Sequence, residues 1–219
     1  MRAMILAAGR GNRMQPLTDT IPKPLLKIGE HALIEYHLFN LKKAGITDIV
    51  INVAYLPKKI IAALGDGERY GVNITYSFEN REDGLETGGG VFQALPLLGD
   101  DPFIVISADI FSDFDFTSLP KKINGLAHLV MVDNPDHHLQ GDYSLLDNDL
   151  LSLDGSTKLN YAGIAVLDPR LFIDCRAGKF SLGSLFKTAI KNNKVSGQYY
   201  SGAWYNVGTV SKLNELNAT

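Results

Sequence analysis

Apolar residues in the first half of the chain fall into short, sharply bounded runs. Ala3-Met4-Ile5-Leu6-Ala7-Ala8, Ile49-Val50-Ile51-Asn52-Val53 and Phe103-Ile104-Val105-Ile106 show no regular alternation with polar residues. Such runs predict strands buried on both faces of a parallel sheet. Between the first two, Ala32 to Ala44 carries Leu33, Tyr36, Leu38 and Leu41 at helical spacing, with Gly45 placed as a stop. Lys58 to Leu64 predicts a second helix. A third is predicted through Val91, Phe92 and Leu95, with Thr87 as its N-cap. This alternation predicts an α/β fold with a doubly wound, mostly parallel sheet.

The second half has another texture. His128 to Val132, Asp142 to Leu146 and Lys158 to Val166 read as strands joined by turn-rich segments such as Asp147-Asn148-Asp149 and Asp154-Gly155-Ser156. They predict a small mixed or antiparallel β extension closing over a cleft. Leu182 to Lys191 and Val210 to Leu216 predict closing helices. With no Pro/Ser-rich linker or low-complexity tract, residues 1–219 are expected to form one domain of two lobes, 1–125 and 126–219. No hexapeptide repeat is present, so no C-terminal β-helix is expected.

Composition narrows the classes. Of 219 residues, 45% are hydrophobic and 21% charged, the balance of a soluble globular chain. A net charge of −3 offers no footprint for non-specific nucleic-acid binding. Cys175 is the sole cysteine, which excludes an intramolecular disulfide and a cysteine-based zinc cluster and reads as packing rather than as a nucleophile. The amino-terminal apolar run is too short to span a membrane and leads into a charged loop, so neither a membrane nor nucleic acid is an expected partner. The cytoplasm is the expected compartment.

The chemistry begins where the first run breaks. Gly9-Arg10-Gly11-Asn12-Arg13-Met14 follows the carboxyl end of a predicted strand, where open α/β sheets bind ligands. Small residues let backbone N–H groups approach phosphates, and Arg13 and Lys23 add positive charge. Pro22 and Pro24 stiffen the backbone around Lys23. Met14 replaces the third glycine of the dinucleotide fingerprint and no Gly-Lys-Ser/Thr follows, so neither common glycine loop fits. A nucleoside triphosphate site is the reading that remains. Asp109, just beyond the third apolar run, projects at the sheet's carboxyl edge and is the candidate ligand for a hard cation, whereas Asn206 before Gly208 reads on residue type as a turn-forming asparagine. Asp113-Phe114-Asp115 is a rival carboxylate pair of the kind used by metal-dependent glycosyltransferases, although acids on such a turn commonly act as caps. Gly88-Gly89-Gly90 would let a flat nucleobase approach bare backbone. His137-His138 lacks further matched metal ligands.

Leu6-Ala7-Ala8-Gly9-Arg10-Gly11-Asn12-Arg13-Met14-Gln15-Pro16-Leu17-Thr18 with Pro22-Lys23-Pro24-Leu25 resembles the signature of the sugar-1-phosphate nucleotidyltransferases. The likeness continues through Leu33 to Leu38, Leu85 to Gly90, Val132 to Pro135 with His137-His138, and Trp204 to Thr209. It implies a Rossmann-like nucleotidyltransferase fold whose first lobe holds a nucleotide and whose second holds a sugar. The implied reaction joins UTP to a sugar 1-phosphate, N-acetylmuramate α-1-phosphate before others, giving a UDP-sugar and pyrophosphate for cell-wall recycling. GTP with mannose 1-phosphate is the competing pair. The implied nucleotide-binding residues are Leu6, Ala7, Ala8, Gly9, Arg10, Gly11, Asn12, Arg13, Lys23, Glu86, Thr87, Gly88 and Ser107. Arg13, Lys23 and Asp109 would act in catalysis, and Asp142, Tyr161 and Gly163 would bind the sugar. Mg²⁺ would be held by Asp109 and Asn206, in a monomer or homodimer. Two positions depart from the family's usual pattern. Ser107-Ala108-Asp109 stands where Asn-Gly-Asp or Gly-Asp is common, and Asn206 stands where aspartate is common. An amide oxygen brings no charge to a cation, which leaves open a nucleotide-sugar-binding protein that has lost catalysis.

Overall fold

The computed structural model describes residues 1–79 and 84–218. Its centre is a seven-stranded sheet. The strands are β1 (Ala3–Leu6), β2 (Asp48–Val53), β3 (Asn73–Phe78), β4 (Phe103–Ser107), β5 (Ala127–Val132), β6 (Asn160–Leu167) and β7 (Val195–Tyr199), in the order β7-β5-β6-β4-β1-β2-β3. β6 runs antiparallel to β4 and β5, and every other pairing is parallel. The long strands of the second half therefore extend the same sheet. Among the described residues the antiparallel component lies in β6 and in three short ribbons, Lys27–Ile28 with His31–Ala32, Ile110–Ser112 with Trp204–Asn206 and Ser144–Leu145 with Leu151–Ser152.

Four helices cover the sheet, α1 (Leu33–Lys43), α2 (Pro57–Leu64), α3 (Glu86–Leu98) and α4 (Leu182–Lys191), while α5 (Val210–Ala218) packs beside the glycine loop. Alternation along β1 assigns the faces. Ala3 and Ile5 join Ile34, Leu38 and Leu41 of α1 and Ile60 and Leu64 of α2. Met4 joins Val91, Ala94 and Leu98 of α3 and Phe186, Ala189 and Ile190 of α4 on the other face. Because side chains of a strand point to opposite faces in turn, a strand with helices on both sides has to be apolar throughout. Each buried Leu, Ile or Phe contributes roughly 1.5–3 kcal/mol of transfer free energy. α5 closes a third cluster, where Leu213 meets Met14 of the glycine loop, Leu26, Leu33 and Val207.

The predicted helices over 32–44, 58–64 and 182–191 stand within a residue of their expected bounds. Thr87 is not the N-cap of α3: the cap is Leu85, and Thr87 lies inside the first turn. The strand expected over 142–146 is confined to Ser144–Leu145. No helix among the described residues is long and apolar enough to cross a membrane.

The strand order positions the site. From β1 the chain winds outward through β2 and β3, then returns to β4 on the opposite side of β1. That reversal opens a crevice beyond the carboxyl ends of β1 and β4, the place where doubly wound sheets receive ligands. Leu6, Asn52 and Ser107 stand in register along its floor.

Candidate active site

A cleft of about 630 Å³ fills this crevice. Of the residues the sequence singles out, Leu6, Ala7, Ala8, Gly9, Arg10, Asn12, Lys23, Glu86, Thr87, Ser107 and Asp109 line it. Gly11 stands behind the wall with φ +71°, and a Cβ there would lie 3.0 Å from Thr18 Cγ2 and 3.2 Å from Lys23 Cβ. Glycine is required both for that backbone conformation and for the close crossing of the two segments. The Thr18 hydroxyl fixes the crossing by donating to the Gly11 carbonyl at 2.9 Å. The Arg10 guanidinium rests 5.2 Å from the centre of the Tyr55 ring.

Lys23 opens a short 3₁₀ turn, Lys23–Leu25, between its two prolines. Its side chain is buried, and Nζ lies 2.5 Å from Asp109 Oδ2. Asp109 directly follows the carboxyl end of β4. There the Ala108 N–H donates to the Leu6 carbonyl and the Val207 N–H donates to the Asp109 carbonyl at 2.9 Å. The antiparallel ribbon pairs Asn206 with Ile110, which brings the far end of the chain to the residue after Asp109, although Asn206 itself does not line the cleft. Arg13 also lies outside the cleft lining and stands beside Asn206: a Cβ on Gly208 would lie 3.0 Å from Asn206 Oδ1 and 3.4 Å from an Arg13 guanidinium nitrogen. Asp109 and Asn206 offer only oxygen donors, the set a hard divalent cation takes, and Asp109 already holds a cationic group in Lys23. That chemistry fits Mg²⁺. Among the described residues no three His, Cys, Asp or Glu side chains gather into a metal-binding group.

The wall formed by α3 differs from its sequence reading. Gly88, Gly89 and Gly90 are buried against protein. A Cβ on Gly88 would stand 2.5 Å from the Phe180 ring, one on Gly89 2.2 Å from the Gly178 carbonyl, and one on Gly90 2.6 Å from Glu79 Oε1. Close packing of the 178–180 segment and of Glu79 accounts for the three glycines. The N–H groups of Gly88 and Gly89 donate to the Phe180 carbonyl, so two of the four first-turn donors of α3 are taken by protein. Thr87 Oγ1 accepts from the Leu182 N–H at 2.9 Å and ties α3 to α4.

Asn52, Glu79, Gly84 and Lys179 also line the cleft and were not singled out by the sequence. Asn52 Oδ1 accepts from the Ala7 N–H at 2.8 Å, and its Nδ2 donates to Glu79 Oε1 at 2.6 Å. Glu79 Oε2 accepts from the Leu85 N–H at 2.7 Å. This buried chain links the glycine loop to the start of α3. The available signal was Asn52 itself, a polar residue inside an apolar run.

Asp142, Tyr161 and Gly163 do not line this cleft. Asp142 spends its oxygens on protein, Oδ2 on the Tyr161 N–H at 2.8 Å and Oδ1 on His138 Nε2 at 3.2 Å. Burial pushes the Tyr161 phenol well above its ordinary range, and the ring packs edge-on against Phe186. Gly163, φ +74°, forms the irregularity in β6 and abuts Ile110 and Ser107, so it touches the floor from behind. The rival carboxylates serve local structure: Asp115 caps the 116–118 turn, and Asp113 accepts from the Tyr200 hydroxyl. Burial raises the Cys175 thiol, the direction opposite to that of an activated cysteine.

Residues 2–149 match the sequence pattern of the nucleotidyl transferase family. An N-acetylmuramate α-1-phosphate uridylyltransferase of Neisseria meningitidis is 48% identical over 228 residues, spanning 100% of this chain and 97% of that protein. One of Caulobacter vibrioides is 33% identical, spanning 94% and 91%. A solved UDP-glucose pyrophosphorylase complexed with UDP-glucose superimposes with a TM-score of 0.79 at 20% identity, covering 99% of this chain and 97% of that one, which shows a shared fold. A glycine loop at the switch point, a lysine–aspartate pair across it and full-length relatives of this kind agree: the chain belongs to the nucleotidyl transferase family, as a sugar-1-phosphate nucleotidyltransferase.

Proposed function

We propose that this enzyme joins UTP to N-acetylmuramate α-1-phosphate, releasing pyrophosphate and UDP-N-acetylmuramate. The Lys23–Asp109 pair at the mouth of the glycine loop carries the reading of the chemistry. The full-length likeness to the Neisseria relative supports the substrates. A sugar phosphate oxygen attacks the α-phosphorus of UTP in line with the bond to pyrophosphate, which breaks as the new P–O bond forms. The nucleophile is already anionic near neutral pH, so no general base is needed. The barrier is the approach of two anions and the charge that builds on the leaving group, and positioning plus fixed positive charge lowers it.

In this scheme residues 1–125 hold the nucleotide and 126–219 the sugar. The amides of Ala8 to Asn12 and the Arg13 guanidinium hold the triphosphate. Lys23, stiffened by its prolines, turns from Asp109 to the α-phosphate. Asp109 and Asn206 would hold Mg²⁺, which supplies charge neutralisation between the phosphates when bound. Pyrophosphate release tests the proposal over a grid of the four nucleoside triphosphates against N-acetylmuramate, N-acetylglucosamine, glucose and mannose 1-phosphates. The expected active pair is UTP with N-acetylmuramate 1-phosphate. Activity only with another pair would replace the substrates, and silence in folded, nucleotide-binding protein would refute the reaction.

A further inference from the structure

Among the described residues that line the cleft, Lys179 is the one that comes from 126–219. Its backbone is held through its neighbours. The Phe180 N–H donates to the Leu85 carbonyl at 3.2 Å, and the Phe180 carbonyl accepts from Gly88 at 2.9 Å and from Gly89 at 3.0 Å. The Phe180 ring meets Phe92 of α3 edge-on, with centres 6.2 Å apart. On the other side of Lys179, Gly178 lies so close to Gly89 that a Cβ there would collide with its carbonyl. Gly88 and Gly89 thus serve the cleft at one remove, by seating the segment that carries Lys179. The cations of the cleft stand on two walls. Leu25, beside Lys23, packs in the core under α1 and α2, whereas Phe180 packs in the core under α3 and α4. Arg10 belongs to the first wall, where it rests on Tyr55, whose hydroxyl donates to the Thr18 carbonyl. The second wall includes Glu79 and Glu86, and Lys179 is the cation that offsets them.

We infer that Lys179 is a specificity-determining residue that reads the carboxylate of the acceptor sugar. The inference rests on the proposed substrate, N-acetylmuramate α-1-phosphate. That sugar carries two anionic groups, the 1-phosphate and a lactyl carboxylate on the ether at C3, and N-acetylglucosamine 1-phosphate lacks the second. The 1-phosphate belongs beside Lys23 and Asp109, where the new bond to phosphorus forms. The carboxylate stands several bonds away across the sugar ring and falls to the opposite wall. Without Lys179 that wall would present Glu79 and Glu86 to an incoming anion and repel it. With it, an ammonium on a fixed backbone pairs the carboxylate through a charge-assisted hydrogen bond. Glu79 is already engaged by the Asn52 amide and the Leu85 N–H, so the pairing does not compete with it for those donors. A site built to pair a substrate group discriminates against the analogue that lacks it.

The test compares N-acetylmuramate 1-phosphate with its carboxamide, an isostere without the charge. Pyrophosphate release with UTP gives kcat/KM for both in the full-length wild type, Lys179→Met and Lys179→Arg. Wild type is expected to prefer the acid about 10–100-fold, the scale of one hydrogen bond to a charged group. Lys179→Met is expected to lose most of that preference, chiefly through KM for the sugar phosphate. Lys179→Arg keeps the charge and is expected to retain it. The ratio of acid to carboxamide cancels any general loss of activity, so a merely structural role for Lys179 would leave it unmoved. A preference that survives in Lys179→Met, or no preference in wild type, overturns the inference alone. Turnover by wild type of other sugar phosphates only overturns the substrate reading and the inference with it.

Discussion

Replacing Asn52 by alanine cuts the buried chain that joins the glycine loop to α3. The Ala7 N–H loses its acceptor at 2.8 Å, and Glu79 loses the amide donor at 2.6 Å while keeping the Leu85 N–H. Leaving a buried N–H unpaired costs about 1–3 kcal/mol, and a hydrogen bond to a charged group is worth about 1.5–3 kcal/mol. Both groups are buried, Asn52 at 2% and Glu79 at 6% exposure, so the full range applies in principle. Asn52 also lines the cleft, so water can enter and replace part of what is lost. The expected net loss is therefore about 3 kcal/mol, equivalent to a fall of roughly 6–12 °C in Tm for a chain of this size. Urea unfolding measures it as a shift in midpoint at constant slope. KM for UTP is expected to rise as well, because Ala7 belongs to the loop. A stability loss under about 1 kcal/mol would refute the reasoning, since it would mean that the bridge is already solvated. Asn52→Asp supplies a control. It restores an acceptor for Ala7 but sets a second carboxylate against Glu79, so the pair retains a proton and the variant gains stability as pH falls.

Gly89→Ala would place a Cβ 2.2 Å from the Gly178 carbonyl oxygen, a backbone atom that no side-chain rotation can move aside. A loss of about 3 kcal/mol is expected in urea unfolding, and an unchanged midpoint would show that the 178–180 segment yields freely. Lys23→Met is expected to lower kcat for pyrophosphate release about 10²–10³-fold, the scale set by removal of one preorganised group that stabilises transition-state charge. A loss below tenfold would remove Lys23 from the chemistry. Burial lowers the His37 imidazole from its ordinary 6.5 to about 4. The unfolded chain thus takes up a proton below about pH 6.5 that the folded one refuses until about pH 4. Stability from this group is full above pH 6.5 and falls by up to about 3 kcal/mol as pH drops to 4. Burial moves His128 in the same direction. Unfolding measured between pH 7 and 4.5 is expected to show this slope, and His37→Leu to flatten it.

Much of the site's first half is legible because its signals are local. The run from Ala3 to Leu6, the glycine loop after it and the two prolines around Lys23 sit within one connection, and their residue types answer to backbone geometry and charge that neighbours in sequence supply. The Leu182–Lys191 helix matches its predicted span because an apolar face at helical spacing and the Ser181 cap are written in consecutive residues. The second half was less legible. Asp142 looked like any exposed strand aspartate, and only the fold shows its oxygens turned to Tyr161 and His138.

By itself the sequence determined the alternation of buried strands and amphipathic helices, the glycine loop at a strand's carboxyl end and the positive charge beside it, since each depends on a short stretch of chain. The tertiary structure alone decided that β6 runs against its neighbours and β5 and β7 extend the same sheet, and that a ribbon pairs Asn206 with Ile110, the residue after Asp109. It also decided that Gly88 to Gly90 make room for Phe180, Gly178 and Glu79. The reason is physical. Hydrophobic period and turn chemistry are properties of neighbours in sequence, whereas strand pairing, the close approach of two backbones and the burial of a polar chain such as Ala7-Asn52-Glu79-Leu85 arise only when distant segments pack at near-crystalline density.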